Sequence, residues 1–378
     1  MIILGIESSC DETAAAIVQE TNGAIAIVSN IIASQAKIHA QYGGVIPEIA
    51  ARNHILNIIP VITQAFDAAH ISYQNIDGIA VTQGPGLIAA LHIGVETAKT
   101  LALAWNKPLI PINHMAGHIY STLKNVDDFQ FPVLALLVSG GHTQLVLMKQ
   151  HYDFEIIGTT IDDAVGEAFD KVAKLLGFPY PGGPAIEQEA SEWSNPNIRM
   201  HPNLQIIHHR RGVNPVSTDD SPVFVDSDVI SRLGLPITFP RPMIDSPDFN
   251  FSYSGLKTAV RYLIEKHPDY NRAQVACEFQ NAAIDVLVIK TLRAVEHYHI
   301  KTLVVGGGVA ANQHLRNQLT EKLKIENRKP KTDLRFPLPG TSADNAAMIA
   351  IAALVKTKYS KQKTDYRKIT ADPNLRLK

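Results

Sequence analysis

Short apolar runs separated by polar turns open the chain. Residues 2–6 and 14–18 are apolar, and the segment 7–13 between them is polar, with Ser, Asp and Glu. Turn-forming residues between two apolar runs predict a hairpin of two strands. Residues 23–32 predict a third strand. The beginning of the chain is therefore expected to form a small sheet.

The same pattern of strand, polar turn and strand returns in the middle of the chain. Residues 133–138 and 144–148 are apolar, and Ser139-Gly140-Gly141-His142-Thr143 joins them. Repetition of such a unit is typical of a fold with two related lobes that hold a nucleotide between them. The hydrophobic pattern therefore favours an α/β protein with two similar lobes.

A polar stretch near 124–131 marks the expected boundary between the lobes. We predict a first lobe over residues 1–130 and a second over 131–340, followed by a closing segment, 341–378. Near 194–231 the chain is rich in Pro, Asn, Asp and Ser without a period, which predicts a surface insertion in the second lobe. In the closing segment we expect a helix that returns toward the cleft and then an exposed basic tail.

Apolar residues at helical spacing predict helices around these strands. The clearest lies at 160–176, where Thr160 and Asp163 resemble a capping box and Gly177 fits the end of the helix. The other expected helices cover residues 53–69, 87–104, 254–266, 272–299, the segment from 312 onward, and 343–355.

Composition narrows the class of protein. With 46% hydrophobic and 19% charged residues, the composition is typical of a globular protein. Lys and Arg number 35 against 36 Asp and Glu, so a nucleic-acid binder of this charge needs a local basic patch or a partner. Two cysteines are too few for a disulfide framework. No apolar run approaches the about 20 residues of a membrane span, and no basic leader opens the chain. A cytoplasmic protein that does not enter a membrane is expected.

His114 and His118 are the first candidates for chemistry. On a helix, residues four apart project from one face, so the two imidazoles could share a metal ion. A zinc protease of the His-Glu-x-x-His type needs Glu after the first His, and Met115 stands there. Asp344 is a candidate oxygen ligand. From spacing alone, two partly buried histidines and an acid near a helix start are an equally good interpretation.

Glycine-containing turns are the second candidates. Glycines at such turns let backbone N–H groups approach a phosphate closely. Any one of them is more often an ordinary turn, but four together favour a nucleotide site. No Walker A loop and no Gly-x-Gly-x-x-Gly motif in a βαβ setting occurs. Asp11 and Asp170 could hold a ribose, a metal-bound water or a substrate amine. The turns lie at 84–86, 139–141, 182–183 and 306–308.

Seven segments, in order along the chain, resemble the TsaD family of transferase subunits in tRNA threonylcarbamoyladenosine biosynthesis. The family once carried the label O-sialoglycoprotein endopeptidase, which Met115 between the two histidines argues against. The resemblance runs from residue 1 to about residue 355. The segments are Gly5–Thr13, His114–His118, Leu137–Thr143, Asp162–Lys171, Tyr180–Pro184, Phe251–Thr258 and Gly306–Asn312.

The resemblance implies the actin-like ATPase or sugar-kinase fold, built from two ribonuclease H-like lobes. It implies transfer of threonylcarbamoyl from threonylcarbamoyl-AMP to the exocyclic amine of the adenosine next to the anticodon. The implied acceptors are tRNAs that read codons beginning with A. The implied partners are the paralogue TsaB and the ATPase TsaE.

The resemblance also assigns residues to roles. His114, His118 and Asp344 match the ligands of one divalent metal, for which iron is the expected occupant and zinc the alternative. No side chain is assigned as a general base, so metal and positioning are expected to provide most of the rate. The matched substrate-binding positions are Leu137, Val138, Ser139, Gly140, Gly141, Asp170, Gly183, Glu187 and Asn312.

Two other functions agree with much of this pattern. A small-molecule kinase of the same fold would use the glycine turns and would not need the two histidines. A non-catalytic nucleotide-binding scaffold would use the same turns to open and close a cleft. Neither alternative explains the histidine pair together with Asp344.

Overall fold

The computed structural model describes residues 1–194, 237–325, 332–360 and 365–377. These residues form two five-stranded sheets with helices packed around them. The insertion expected near 194–231 lies, apart from its first residue, outside the described residues. No helix within the described residues has the length and apolar character needed to cross a membrane.

The first sheet is built by the N-terminal strands. Its members are β1 (Ile2–Glu7), β2 (Glu12–Thr21), β3 (Ala24–Ser34), β4 (Gly78–Gly84) and β5 (Leu109–Asn113). The order across the sheet is β3-β2-β1-β4-β5. β1, β2 and β3 are antiparallel, whereas β4 runs parallel to β1 and β5. The hairpin and third strand expected from the sequence are confirmed.

The second sheet repeats this arrangement. It contains β6 (Val133–Val138), β7 (Thr143–Met148), β8 (Phe154–Thr159), β9 (Thr302–Gly306) and β10 (Asp333–Arg335). Starting from β8, the order β8-β7-β6-β9-β10 and the strand directions are those of the first sheet. The internal duplication inferred from two hairpins is therefore confirmed as a whole repeated sheet.

Helices cover the faces of both sheets. The described residues form ten α-helices: α1 (Ala36–Ala40), α2 (Pro47–Ala69), α3 (Ile88–Trp105), α4 (His114–Tyr120), α5 (Val165–Leu175), α6 (Gly182–Ser194), α7 (Ser254–Lys266), α8 (Arg272–His297), α9 (Gln313–Ile325) and α10 (Ala346–Tyr359).

α10 is the helix that fixes the site. Residues 346–355 are buried on every side, because α10 packs against β1, β2 and α4. Gly5 in β1 makes this approach possible, since a Cβ atom there would collide with the carbonyl oxygen of Ala346. Burial of so many apolar side chains stabilises the helix in this place. Asp344, two residues before the start of α10, is thereby held against α4.

The helix expected at 160–176 begins later than the sequence suggested. Residues 160–164 form an extended turn instead, because the backbone of Thr160 and Ile161 pairs with Phe251. The expected capping box is also wrong: the Thr160 hydroxyl donates to the carbonyl of Asp163, and Thr143 accepts from the first helical N–H at Val165. The other expected helices are confirmed, most of them with shifted ends, whereas α1, α6, β8 and β10 were not predicted.

The basic tail differs from the expectation of an exposed segment. Ile369 and Leu377 are buried, and Asp372 N donates to the carbonyl of Gln83 at 2.9 Å. The charged composition suggested exposure, but the apolar residues spaced among the charges anchor the segment. Residues 365–377 therefore lie along the first lobe as a fixed part of the fold.

Asp162 connects two of the segments singled out in the sequence, Asp162–Lys171 and Phe251–Thr258. Its carboxylate accepts from the hydroxyls of Ser252 (2.6 Å) and Ser254 (2.7 Å) and from the N–H of Tyr253 (2.8 Å), at the start of α7. Partial burial alone would raise the pKa of Asp162, but these donors hold it below its ordinary value of 3.8. The carboxylate therefore caps α7 from a distant part of the chain.

Replacing Asp162 with alanine is expected to lower the free energy of unfolding by about 1 kcal/mol, the usual contribution of an exposed cap. Because the pKa is depressed in the folded state, this contribution is present above pH 3.8 and is lost as the pH falls through the folded-state pKa. Urea unfolding at several pH values measures it. Asp269→Ala, at an exposed aspartate, is the control and should stay within about 0.5 kcal/mol.

Candidate metal and substrate site

α4 starts directly after β5 and carries both histidines. Asn113 caps the helix: its side-chain oxygen accepts from the N–H groups of Met115 (2.9 Å) and Ala116 (3.4 Å). His114 and His118 then project from one face, with ring centroids 4.7 Å apart. Both are buried, so the helix presents two imidazoles inside the protein.

Asp344 completes a triad with these histidines. Its Oδ1 lies 3.4 Å from His114 Nε2 and 3.2 Å from His118 Nε2. One ligand atom from each residue falls within 4.8 Å of the others. The structure thus brings together the three ligands expected from the sequence. That they bind a metal ion stays a prediction.

The triad fits a divalent transition metal. Both ring nitrogens of His118 are buried: Nδ1 has no hydrogen-bond partner among the described residues, and Nε2 lies 3.2 Å from Asp344 Oδ1 without the geometry of a hydrogen bond. Leaving a buried polar atom unsatisfied costs about 1–3 kcal/mol. A cation would satisfy Nε2, and two imidazole nitrogens with one carboxylate oxygen suit iron or zinc.

Glu7 orients His114 from the opposite side. Its buried Oε2 accepts from the Thr82 hydroxyl (2.6 Å) and lies 3.1 Å from His114 Nδ1, while Oε1 accepts from the N–H of Ser9 (2.5 Å). Because Nδ1 faces Glu7, Nε2 is directed toward Asp344. Carboxylates in this position commonly fix the tautomer of metal-binding histidines. The sequence did not single out Glu7; its one signal was an acid closing an apolar strand.

The charges of this site depend on one another. Burial by itself would raise the pKa of Asp344, but His114 and His118 hold it well below its usual range. Burial opposes protonation of His114, yet Asp344 and Glu7 raise its pKa well above its ordinary value. The imidazole of His114, which lies between Glu7 and Asp344, therefore stabilises the charge of both carboxylates.

Several of the predicted glycine turns leave their backbone open to a ligand. The Ser139 turn is held by its own N–H, which donates to the carbonyl of His142 (2.8 Å). Leu137 and Val138 are fully buried, so only their backbone could contact a substrate. The open positions, where a Cβ atom would meet nothing within 4 Å, are Gly140, Gly141, Gly183 and Gly308.

The turn at 84–86 was expected to be open to a phosphate, and the structure shows that it is not. A Cβ atom at Gly86 would lie 2.5 Å from the carbonyl oxygen of Ser9, and one at Gly84 would collide with the carbonyl of Asp372. The chain's own backbone fills the space that an anion would need. These glycines serve close packing of the tail and the first turn.

Three further residues that were predicted to bind substrate accept hydrogen bonds from backbone N–H groups at the starts of helices. Asp170 accepts from the N–H of Gly182 (2.7 Å), where α6 begins. Glu187 accepts from the N–H of Gln313 (2.6 Å), and Asn312 accepts from that of Leu315 (3.0 Å), both at the start of α9. These contacts explain why such residue types stand there. Their assignment to substrate binding stays a prediction.

The acidic first turn and the second lobe face each other across the cleft. Burial raises the pKa of Tyr180, and the carboxylate of Asp11, in the first lobe, raises it further. Burial and Asp11 raise the pKa of Glu12 to about 9, so Glu12 keeps its proton at neutral pH. Burial lowers the pKa of His142 to about 4, and the adjacent His114 adds to this effect. His142 is therefore uncharged at neutral pH, and it lines the same cavity as Met115, the residue after His114.

Comparison with known proteins decides the family. The model of the TsaD family, described as tRNA N6-adenosine threonylcarbamoyltransferase, matches residues 26–210 and 221–351. A protein of that name from Listeria welshimeri is 43% identical over 380 residues, which cover 100% of this chain and 96% of its own length. The chain belongs to the TsaD family. A member from Bacillus subtilis is 44% identical over 359 residues, covering 94% of this chain and 90% of its own.

Solved structures agree on the fold. Full-length HypF, in its phosphate- and nucleotide-bound form, covers 96% of this chain with 47% of its own at a TM-score of 0.52 and 12% identity. HypF of T. kodakarensis gives a TM-score of 0.51, again with 12% identity, covering 96% of this chain and 48% of its own. The actin-like ATPase and sugar-kinase fold expected for this TsaD-family chain is confirmed.

Removing the charge of Glu7 is expected to weaken metal binding. Glu7→Gln keeps the shape of the side chain but loosens its hold on His114, which should lower metal affinity by roughly 10-fold. Calorimetric titration of the metal-free protein with Fe²⁺ or Zn²⁺ measures the change. Glu155→Gln, on the exposed side of β8, is the matched control. Equal affinities in all three proteins would contradict the positioning role of Glu7.

Proposed function

We propose that the chain transfers threonylcarbamoyl from threonylcarbamoyl-AMP to the exocyclic amine of the adenosine next to the anticodon. The acceptors are tRNAs that read codons beginning with A. Family membership over the whole length supports this function. The observation that carries it is the His114–His118–Asp344 triad, with two buried histidines and a half-buried carboxylate, which neither a sugar kinase nor a nucleotide-binding scaffold needs.

The triad is proposed to hold one divalent metal, iron in the first place and zinc as the alternative. His114 and His118 would contribute imidazole nitrogens and Asp344 a carboxylate oxygen. Glu7 would keep His114 oriented for this purpose. When bound, such a metal supplies Lewis-acid polarisation of an acyl or phosphoryl oxygen.

The remaining contribution comes from positioning. The turns around Gly140 and Gly308 are open, and their backbone N–H groups would donate to the phosphate of the adenylate. The adenine amine is a weak nucleophile, since its lone pair is delocalised into the ring, so holding it against the acyl carbon matters for rate. A new N–C bond forms, the C–O bond to the phosphate breaks, and AMP leaves with the electron pair. The amine loses one proton.

An apolar patch on the first lobe supports the proposal that the chain binds another protein. Ile55, Leu56 and Ile59 lie within about one turn of α2 and are all more than half exposed. Exposed apolar groups of this size mark interaction sites when they cluster. We assign this patch to the paralogue TsaB, with the ATPase TsaE as a further partner. A near-neutral net charge agrees with tRNA binding shared among subunits, in the cytoplasm where tRNA is found.

Placing a charge in this patch is expected to abolish association with TsaB. Leu56 is 71% exposed, so Leu56→Lys should leave the fold intact while a lysine ammonium is buried at the interface. Co-purification and analytical ultracentrifugation of the purified pair measure association. Ile325→Lys, at a residue 80% exposed on α9, is the control. Full association of the Leu56 variant would exclude this surface.

The function itself is tested by transfer of labelled threonylcarbamoyl to unmodified tRNA in the presence of both partners. His114→Ala and Asp344→Ala should each lower the rate at least about 100-fold, because Lewis-acid stabilisation is worth several kcal/mol. Asp269→Ala should match the wild type.

Absence of transfer by the wild-type protein, with ATP-dependent phosphorylation of a small molecule in its place, would favour a kinase. Unchanged transfer by Asp344→Ala would remove the metal from the proposal while leaving the transferase.

A further inference from the structure

The C-terminal segment 365–377 is anchored beside the cleft. Gln83 holds it at two points, with Nε2 donating to the carbonyl of Thr370 (3.0 Å) and its own carbonyl accepting from the N–H of Asp372 (2.9 Å). The N–H of Gly86 donates to the carbonyl of Pro373 (3.3 Å). The segment is thus fastened to the loop between β4 and α3.

The same segment is fastened to the helix that carries the triad. Asn113, whose oxygen caps α4, donates from Nδ2 to the carbonyl of Leu375 (3.1 Å). Leu377 is buried in the same apolar cluster as Met115, the residue after His114. The segment therefore has a fixed position relative to the triad.

Side chains alternate along this segment. Leu375 and Leu377 turn toward the protein, whereas Asn374 and Arg376 are exposed. The guanidinium of Arg376 makes no ion pair with any residue that the structure describes. A cationic group is thus presented from a rigid backbone, which reduces the entropy lost when it binds a ligand.

Arg376 faces a cavity of about 760 Å³ between the lobes. Met115 and the tail contribute one wall, and His142, Gln144 and Thr159 of the second lobe contribute another. None of the residues lining this cavity is Asp or Glu. The volume suits a nucleotide-sized ligand, and an unpaired guanidinium without a facing carboxylate favours an anionic one.

Two anionic ligands belong to the proposed reaction, the adenylate donor and the tRNA acceptor. The open turns at Gly183 and Gly308, expected on the donor side, do not line this cavity. Extruded bases of RNA loops stack on planar side chains such as imidazole and guanidinium, while Arg contacts the neighbouring phosphates. The cavity offers both kinds of group beside the triad.

We propose that this cavity receives the acceptor nucleotide of the tRNA, and that Arg376 contacts a phosphate of the same strand. This inference rests on the proposed transfer to tRNA. It assigns the C-terminal segment to acceptor binding and leaves donor binding to the glycine turns of the second lobe.

The test compares Arg376→Ala and Arg376→Lys with the wild type, each with both partners present. Arg376→Ala should raise the KM for tRNA by about 10-fold or more, the loss expected for one charged hydrogen bond. The KM for threonylcarbamoyl-AMP and the metal content should not change. The slope of log affinity for tRNA against log salt concentration should fall by about 0.7, as one phosphate contact is lost. Arg376→Lys should retain most of the wild-type KM for tRNA and most of the wild-type salt slope.

Arg367→Ala is the matched control. Arg367 lies on the same segment, is 75% exposed at its side chain and already pairs with Asp365 at 3.0 Å, outside the cavity. Asn374→Glu provides a second test, because it adds a carboxylate to the cavity at an exposed position. It should raise the KM for tRNA as Arg376→Ala does.

An unchanged KM for tRNA and an unchanged salt slope in Arg376→Ala would overturn the inference. A higher KM for the donor with an unchanged KM for tRNA would also overturn it, because the cavity would then bind the adenylate. If the wild type binds tRNA but transfers nothing, the proposed function fails, and the salt slopes still decide the role of Arg376.

Discussion

The chain of Glu7, His114 and Asp344 is the interaction on which the site depends. Glu7 is fully buried and the side chain of Asp344 is only 23% exposed, so both carboxylates need compensation, and the imidazole between them provides it. Glu7 ends β1, His114 begins α4 and Asp344 precedes α10, so three distant segments must meet before these charges are satisfied. Gly5 lets α10 approach β1 closely enough for this meeting. Fold and site are therefore specified by the same contacts.

Much of the fold could be predicted from the sequence, because hydrophobic periodicity reports local structure directly. The two hairpins, most of the helices and the position of His114 and His118 on one helix face follow from spacing. The start of α5 did not follow, since residues 160–164 are held by Phe251, which is distant in sequence. Tertiary contacts of this kind leave no periodic signal.

The site was harder to predict than the fold. Asp344 was a candidate ligand, and its carboxylate contacts both histidines in the structure. Glu7 was not predicted, because its partners, Thr82 and His114, lie far along the chain. Composition misled at the C-terminal segment, where charges outnumber the few apolar anchors. Asp170, Glu187 and Asn312 show a different limit: each caps a helix, so residue type alone cannot separate support from binding.

The repeated sheets have an unequal covering of helices. Between β8 and β9 the second lobe has α5, α6 and α7, all of which pack on α8. The first lobe places only α1 and α2 between β3 and β4, and the outer face of α2 remains bare. The two lobes thus share one sheet topology, and the helices laid around each sheet decide which surface that lobe shows to its surroundings.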